Sequence, residues 1–357
     1  MSHVTHIAKQ KQILDLRWNI LRAIREFFWS EQFLEVETPL ILRLPGQEPY
    51  LSPMRLTIHD EKNQAYDAYL HTSPEYTLKK MLAAGYTNIF SLCKTFRDYE
   101  SFGGLHNPEF TMIEWYRANA DFYVLMDDVE KLFDYIVKKL ETARPPASSL
   151  AGEVGRGNWK LKNNSQFLIS NFQRVHMRDL WQKYIGVNLD EYLTRETMFE
   201  LCVKKGYTPK NDEQYEDLFY RIFLNDIEPK LKDLGGVIVH HYPLPMASLS
   251  RPSTTDIGYA ERMEVYVNGM ELANGFSELT DAAEQKKRLE EEQERRKAMG
   301  KDDFDIDEDF IEAVGMMPPS AGIALGIDRL VQVFGDCKNI DDVLVLPAAK
   351  LFIANGS

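Results

Sequence analysis

Three stretches of this 357-residue chain gather residue types that can hold a charged, phosphorylated ligand. The first, FRDYESFGGLHNPEFTMIEWYR, runs from Phe96 to Arg117 and reads as strand, polar loop, strand. Arg97 stands at its mouth and Asn107 where the loop returns. In the second strand Phe110, Met112, Glu114 and Tyr116 share a face by the two-residue period. Such a hairpin can set a guanidinium over a phosphate and a phenol beside a substrate. The same text also describes a surface hairpin with ordinary charges.

The second stretch, AERMEVYVNGMELANGFSEL, spans Ala260 to Leu279. Asn268-Gly269 is a strong two-residue turn signal. An even turn sets Tyr266 opposite Glu271 and Glu264 opposite Ala273, so Glu264 and Glu271 project from one face. Converging carboxylates repel unless a cation sits between them, and Mg²⁺ or a substrate ammonium would serve. Glu278 lies just beyond. A solvated acidic strand is the bland alternative, but it leaves the small residues of LANGF unexplained; those leave room for a ligand against backbone. The third stretch, GIALGIDRL from Gly322 to Leu330, carries Gly322 and Gly326 at a strand end. Arg329 falls in the first turn of the helix that follows, where dipole and guanidinium face the same way. Alone, that pattern is weak.

These residues need elements to position them. Apolar residues from Ile13 to Phe28 recur at helical spacing and predict an amphipathic helix over about Lys9–Ser30. FLEVETPLIL follows as a strand that Pro39 interrupts. Ser73-Pro74-Glu75 reads as a helix start, with the helix ending at Gly85. IFSLCKTFR and FTMIEWYRA are strands, and Ala120–Leu140 is a helix. Arg144–Asn158 reads as a loop or linker, and Trp159–Leu234 as mostly helical without a legible motif. GVIVHHY is a buried strand, and Asp281–Met299 a solvated helix opened by a D-x-x-E pattern and closed at Gly300. Helices and hairpins mix without βαβ alternation, which predicts an α+β domain around an antiparallel sheet.

Composition sets bounds. The chain carries 42 basic and 55 acidic residues, a net charge of −13. Phosphate-backbone binding favours a basic surplus, so the balance argues against nucleic acid as the obligatory partner. No apolar run reaches membrane-span length, and the polar N-terminus is not a secretory signal, so a cytoplasmic protein is expected. Cys93, Cys202 and Cys337 match no metal-ligand spacing.

Together the segments resemble the signature motifs of the class II aminoacyl-tRNA synthetases. FLEVETPLI resembles motif 1 with Pro39 as its proline, FRD…HNPEFTMIEWY motif 2, and GIALGIDRL motif 3. SPE (Ser73 to Glu75), HNPEFTM, ERMEVY and ELANGFSEL resemble the lysyl branch. Within it the text is most similar to the elongation factor P–(R)-β-lysine ligases, truncated lysyl-tRNA synthetase paralogues. The matching text covers about two-thirds of the chain, roughly residues 10–126 and 237–346. The resemblance implies a class II catalytic core over residues 1–357, with the segment 141–234 of unassigned role, no anticodon-binding domain, and a homodimer. Only 38 residues precede Pro39 and 28 follow Arg329, which is why no anticodon module is expected.

The implied chemistry is attack of an amino-acid carboxylate on the α-phosphate of ATP, loss of pyrophosphate, and transfer of the acyl group to a lysine of elongation factor P. It rests on orientation and charge stabilisation. By the resemblance, Ser73, Pro74, Glu75, Tyr116, Glu278 and Ala324 line the amino-acid site. Arg97 with Asp98, Tyr99 and Glu100, then Asn107, Glu271, Leu272, Gly326 and Arg329, line the ATP site. Arg97 and Arg329 are the catalytic charges, and Glu271 and Glu278 the Mg²⁺ ligands. Ala324 replaces the glycine of GLGIGIDR in true lysyl synthetases, and its methyl should disfavour an α-amino group there, selecting β-lysine over lysine. tRNA is the less expected acceptor. A minimal lysine-charging enzyme and a non-catalytic amino-acid sensor are the alternatives. Motif 2 departs from the usual FRNE: Tyr99 stands where the acid is expected, Glu100 follows one place later, and a bulge is expected to restore its register.

Overall fold

A computed structural model describes residues 2–142 and 171–352. The expected linker at 144–158 and the start of the expected helical segment lie outside the described residues. Helix α1 (His3–Ser30) buries Ile20, Ile24, Phe27 and Phe28 on one face. It begins earlier than the apolar period suggested, because Ser2 caps it by accepting from the Thr5 N–H.

Eight strands form one sheet in the order β1-β5-β6-β11-β10-β9-β8-β7. The six inner strands are antiparallel: β5 (Asn88–Phe96), β6 (Glu109–Ala118), β11 (Ser320–Gly326), β10 (Met270–Ser277), β9 (Tyr259–Val267) and β8 (Gly236–Pro243). The edge strands β1 (Leu34–Glu35) and β7 (Gln173–His176) pair in parallel. The motif 1 strand is therefore two residues long. β7 is a four-residue strand in a region whose sequence reads as helical; so short a run carries no period. A separate three-stranded sheet joins β2 (Ile41–Leu42), β4 (Ala65–Leu70) and β3 (Arg55–His59).

The two faces of the large sheet have different partners. Phe90, Ile113, Trp115, Val265, Ile323 and Leu325 point to one side and form the main core with α1, α3 (Phe122–Thr142) and the helix after motif 3. The opposite face carries Glu114, Tyr116, Gly322, Ala324, Asn274 and Glu264, aligned across β6, β11, β10 and β9. Over it lie α2 (Glu75–Ala83), α7 (Ala282–Ala298) and α8 (Glu308–Met316), packed through Leu78, Leu82, Leu289, Phe310 and Val314. Gly85, at φ +99, turns the chain after α2. Beyond β8, helices α4 (Met177–Tyr184), α5 (Arg195–Lys204) and α6 (Tyr215–Ile222) build a second core around Trp181, Leu218 and Phe219.

The β9–β10 hairpin corrects one expectation. Asn268 and Gly269 both have positive φ, +53° and +79°, as a type I′ turn requires. Glu271 does face Tyr266, but the register then slips at Leu272, and Glu264 faces Asn274, not Ala273. Glu271 and Glu278 are seven positions apart, an odd number that in a regular strand puts them on opposite faces. The bulge at Leu272 reverses that parity and turns both carboxylates toward the site.

Candidate active site

Helix α2 brings Glu75 to the sheet, and one turn later it brings Lys79. The Lys79 Nζ lies 2.6 Å from Glu75 Oε1 and 2.6 Å from Glu278 Oε2. Its side chain is 1% exposed and that of Glu278 0%. The ring of Phe276 faces the same ammonium at 5.2 Å. Burial lowers the proton affinity of Lys79, but Glu278 and Glu75 overcome it and hold the ammonium above the ordinary lysine value. Burial raises the proton affinity of Glu278, and Lys79 opposes it and holds the carboxylate in the pair. Its Oε1 has no hydrogen-bond partner.

Glu114 completes the cluster. Ser73 Oγ donates to its Oε1 at 2.5 Å, and the Tyr116 hydroxyl to its Oε2 at 3.0 Å. Burial, then the charge of Glu75, pushes this carboxyl up to about 8. Ser73 also accepts from the Glu75 N–H at 3.0 Å, so it ties the start of α2 to the sheet. Pro74, at the helix entry, is buried. Gly322 lies beneath Tyr116 and Glu278: a Cβ there would sit 2.2 Å from the phenol ring and 2.6 Å from Glu278 Oε1. Ala324 pairs with Glu114 on one side and Asn274 on the other, in the floor between them. The Asn274 Oδ1 is buried without a partner.

The phosphate side lies along the same face. Arg97 stacks over Phe110 with its guanidinium carbon 5.0 Å from the ring centre, and its Nε is buried without a partner. Burial disfavours its charge, a cost that an anionic ligand would offset. Asp98 donates its N–H to the Ser52 carbonyl at 2.7 Å. Tyr99, in the turn after β5, adopts φ +59° and is 92% exposed. The turn brings Glu100 back toward Arg97, whose charge it favours, and Glu100 pairs with His106 at 2.8 Å. The β5–β6 register runs without a shift to Phe96–Glu109, so the expected strand bulge is replaced by a turn beyond β5, and that turn leaves Tyr99 exposed. Asn107 donates to the Glu109 carbonyl at 2.6 Å and accepts from the Ala348 N–H at 2.9 Å. Both ends of its amide are thus engaged with backbone, and it holds the loop in place.

Arg329 donates to the Glu271 carbonyl at 3.0 Å and lies 3.7 Å from its carboxylate. Its helix, α9 (Ile327–Gly335), is locked by Asp328, which accepts from the Thr111 N–H at 3.0 Å and pairs with the buried Arg17. Burial at the cleft floor, then the charge of Glu264, raises Glu271 to about 7, although 41% of its side chain remains exposed. The Leu272 carbonyl lies 3.9 Å from where a Cβ on Gly326 would be, leaving open backbone there. A cleft of about 910 Å³ opens over Glu271, with Tyr50, Glu216, Tyr220 and Arg221 on its walls.

The Mg²⁺ pair needs correction. Seven strand positions at about 3.3 Å each separate Glu271 from Glu278 by roughly 20 Å, and Mg²⁺–oxygen bonds are about 2.1 Å. One ion cannot join them, and Glu278 is paired with Lys79. Glu264 is nearer to Glu271, but Arg262 holds its Oε1 at 2.8 Å, and Tyr242 and Tyr266 hold its Oε2 at 2.6 and 2.5 Å. Of Glu264, Glu271 and Glu278, Glu271 is the one that lines the cleft, which suits an ion that keeps waters and takes its other ligands from phosphates.

Among the described residues, one other group has metal-ligand spacing: His176, His241 and Asp256. His176 Nδ1 accepts from the Arg178 N–H at 3.0 Å, and the other ring nitrogen meets Asp256 at 2.7 Å. Nε2 therefore carries the proton, both ring nitrogens are used, and Arg178 neutralises Asp256 at 2.6 Å. The group is a hydrogen-bonded network.

Sequence reasoning missed Lys79 and the direct role of Glu114. The signals were present: Lys79 stands four residues after Glu75 on a helix, and Glu114 shares the strand face of Tyr116.

A family model described as class II tRNA synthetases (D, K and N) matches residues 4–350. An elongation factor P–(R)-β-lysine ligase of Edwardsiella ictaluri is 36% identical over 330 residues, 92% of each chain. Ligases of the same name from Hamiltonella defensa and Salmonella typhi are 35% identical, over 94% and 91% of each chain.

Proposed function

The chain belongs to the class II tRNA synthetase family and is an ATP-dependent ligase, and we propose that it joins (R)-β-lysine to a lysine side chain of elongation factor P. The observation that carries this reading is a buried set of three carboxylates, Glu75, Glu114 and Glu278, beside a phosphate arm bearing Arg97 and Arg329. The amino acid and the acceptor are those of the similar ligases.

In this mechanism the carboxylate pocket anchors the substrate's ammonium groups and aims its carboxylate at the α-phosphate. Arg97 holds the charge that grows on that phosphate, and Arg329 the departing pyrophosphate. Prior orientation supplies most of the acceleration, because little proton transfer is needed. The adenylate's acyl carbon is then attacked by the amine of the acceptor lysine: the C–N bond forms, the C–O bond to phosphate breaks, and AMP leaves. Mg²⁺ would neutralise phosphate charge, with Glu271 as its protein ligand.

Pyrophosphate exchange with ATP and either α-lysine or (R)-β-lysine tests the activation step. Exchange is expected with (R)-β-lysine preferred, and its absence with every amino acid would overturn the reading. Intact mass of elongation factor P after incubation tests the acceptor, against acid-precipitable label on bulk tRNA.

A homodimer is part of this proposal. Trp18, Trp29, Leu34, Leu40 and Ile41 are 39–53% exposed along α1 and the motif 1 segment, an apolar strip suited to a second copy. Light scattering in solution checks it. None of the described helices is long and apolar enough to cross a membrane, in keeping with the proposed cytoplasmic location.

A further inference from the structure

The loop between β2 and β3 carries a carboxylate that the sequence motifs do not include. Gln47, 1% exposed, donates to the carbonyls of Phe304 and Asp305 at 3.2 and 3.1 Å. Arg296, also 1% exposed, donates to the carbonyls of Glu48 and Leu51 at 2.9 and 2.8 Å, and Lys301 to that of Pro49 at 2.6 Å. The next residue, Ser52, accepts from the N–H of Asp98, beside Arg97. Three backbone carbonyls are thus pinned from the roof and a fourth, at the loop's exit, from the phosphate arm, so the loop has little freedom to move its side chains.

Within this clamp, Glu48 Oε2 is buried and has no hydrogen-bond partner. The carboxylate folds over Gly46, where a Cβ would lie 2.3 Å from that oxygen. Burial raises its proton affinity and the charge of Glu75 raises it further, while a hydrogen bond to its own backbone, then Arg97 and Arg296, oppose. The Ser52–Asp98 hydrogen bond brings the loop that carries Glu48 against the phosphate arm, and Glu75 and Arg97 are among the charges acting on its carboxyl, so the ground beside Glu48 is bounded by both. Arg97 Nε, across that ground, is buried and unpartnered too. A buried carboxylate oxygen without a partner costs several kcal/mol in general, and an aligned cation relieves the cost. Two orphaned groups of opposite charge match a ligand that is anionic at a phosphoryl group and cationic a few bonds away. An aminoacyl adenylate whose amine lies close to its acyl carbon is such a ligand. Glu75 and Glu278 already share the ammonium of Lys79; Glu48 has no protein cation hydrogen-bonded to its Oε2.

We propose that Glu48 is a specificity-determining residue that receives the substrate ammonium nearest the reacting carboxyl, so that the site takes diamino acids. The proposal rests on the activation chemistry above and adds to it the residue that would select diamino acids. Glu48→Gln keeps the shape and removes the charge. In pyrophosphate exchange it should raise KM for the preferred diamino acid by about 10–100-fold, the range of one charge-assisted hydrogen bond, with kcat changed only a few-fold. Inhibition by ε-aminocaproate, which lacks the amine next to the carboxyl, should stay within about 2-fold of the wild-type value. The thermal midpoint should hold or rise, since an unpaired buried charge is gone. An unchanged KM, a parallel loss of ε-aminocaproate binding, or a lowered midpoint would each overturn the proposal while the wild-type enzyme still exchanges. Wild-type protein that exchanges with no amino acid would instead sink the activation reading, and this one with it.

Discussion

Lys79 and Glu278 form an ion pair sealed from solvent, 2.6 Å apart, in the middle of the proposed amino-acid pocket. Glu75 closes the other side of the same ammonium at 2.6 Å. The lysine is the internal counter-ion that lets carboxylates gather there before substrate arrives.

Lys79→Met should therefore be severe. Removing one partner of a buried pair leaves an uncompensated charge, a loss on the order of 3–5 kcal/mol. Urea denaturation reads it, and Lys79→Met with Glu278→Gln should regain a good part, because the second change removes the stranded charge. Equal stability of the single and double variants would contradict the pairing.

The Glu114 carboxyl makes stability fall with pH. Its ordinary value of 4.5 rises to about 8 in the fold, so the folded protein holds a proton that the unfolded chain releases. The contribution is full below about pH 4.5 and is lost as pH climbs through about 8. Glu114→Gln should flatten thermal stability across that window, and an unaltered slope would show that Glu114 does not titrate there. A diammonium substrate needs the carboxylate form, so wild-type binding at pH 7 should release protons, read by calorimetry in buffers of different ionisation enthalpy.

Tyr99 and Glu100 should separate cleanly. Tyr99→Ala, at a position 92% exposed, should leave KM for ATP within about 2-fold of wild type. Glu100→Ala, which breaks the His106 contact, should raise it by about 10-fold, the worth of one charged hydrogen bond. The reverse ranking would mean that the turn at Asp98–Tyr99 does not bring the acid to ATP.

The floor residues are separable too. Gly322→Ala places a Cβ 2.2 Å from Tyr116 and should cost about 1–3 kcal/mol in stability and most of the exchange activity. Ala324→Gly removes one methyl between Glu114 and Asn274 and should move selectivity toward α-lysine while the protein stays folded. Selectivity measured as a ratio of kcat/KM checks it.

Much of this protein is written locally. Arg97, the Asn268-Gly269 turn and the run into Arg329 are legible because turn chemistry, strand alternation and helix starts depend on neighbours in sequence. The α+β architecture follows from the same signals, as does the set of carboxylates near the turn. The relations across elements were decided elsewhere. Whether Glu271 and Glu278 share a face depends on one bulge at Leu272, set by how β10 meets its neighbours. That Lys79 joins Glu75 to Glu278 depends on α2 lying over the sheet, and a helix–sheet distance has no sequence period. Glu48 reaches the site only because Arg296, Lys301 and the backbone of Phe304 and Asp305 clamp its loop, contacts made some 250 positions away. Local chemistry chose the residues; burial and long-range packing determined which of them meet, and so which charges must be matched by a ligand.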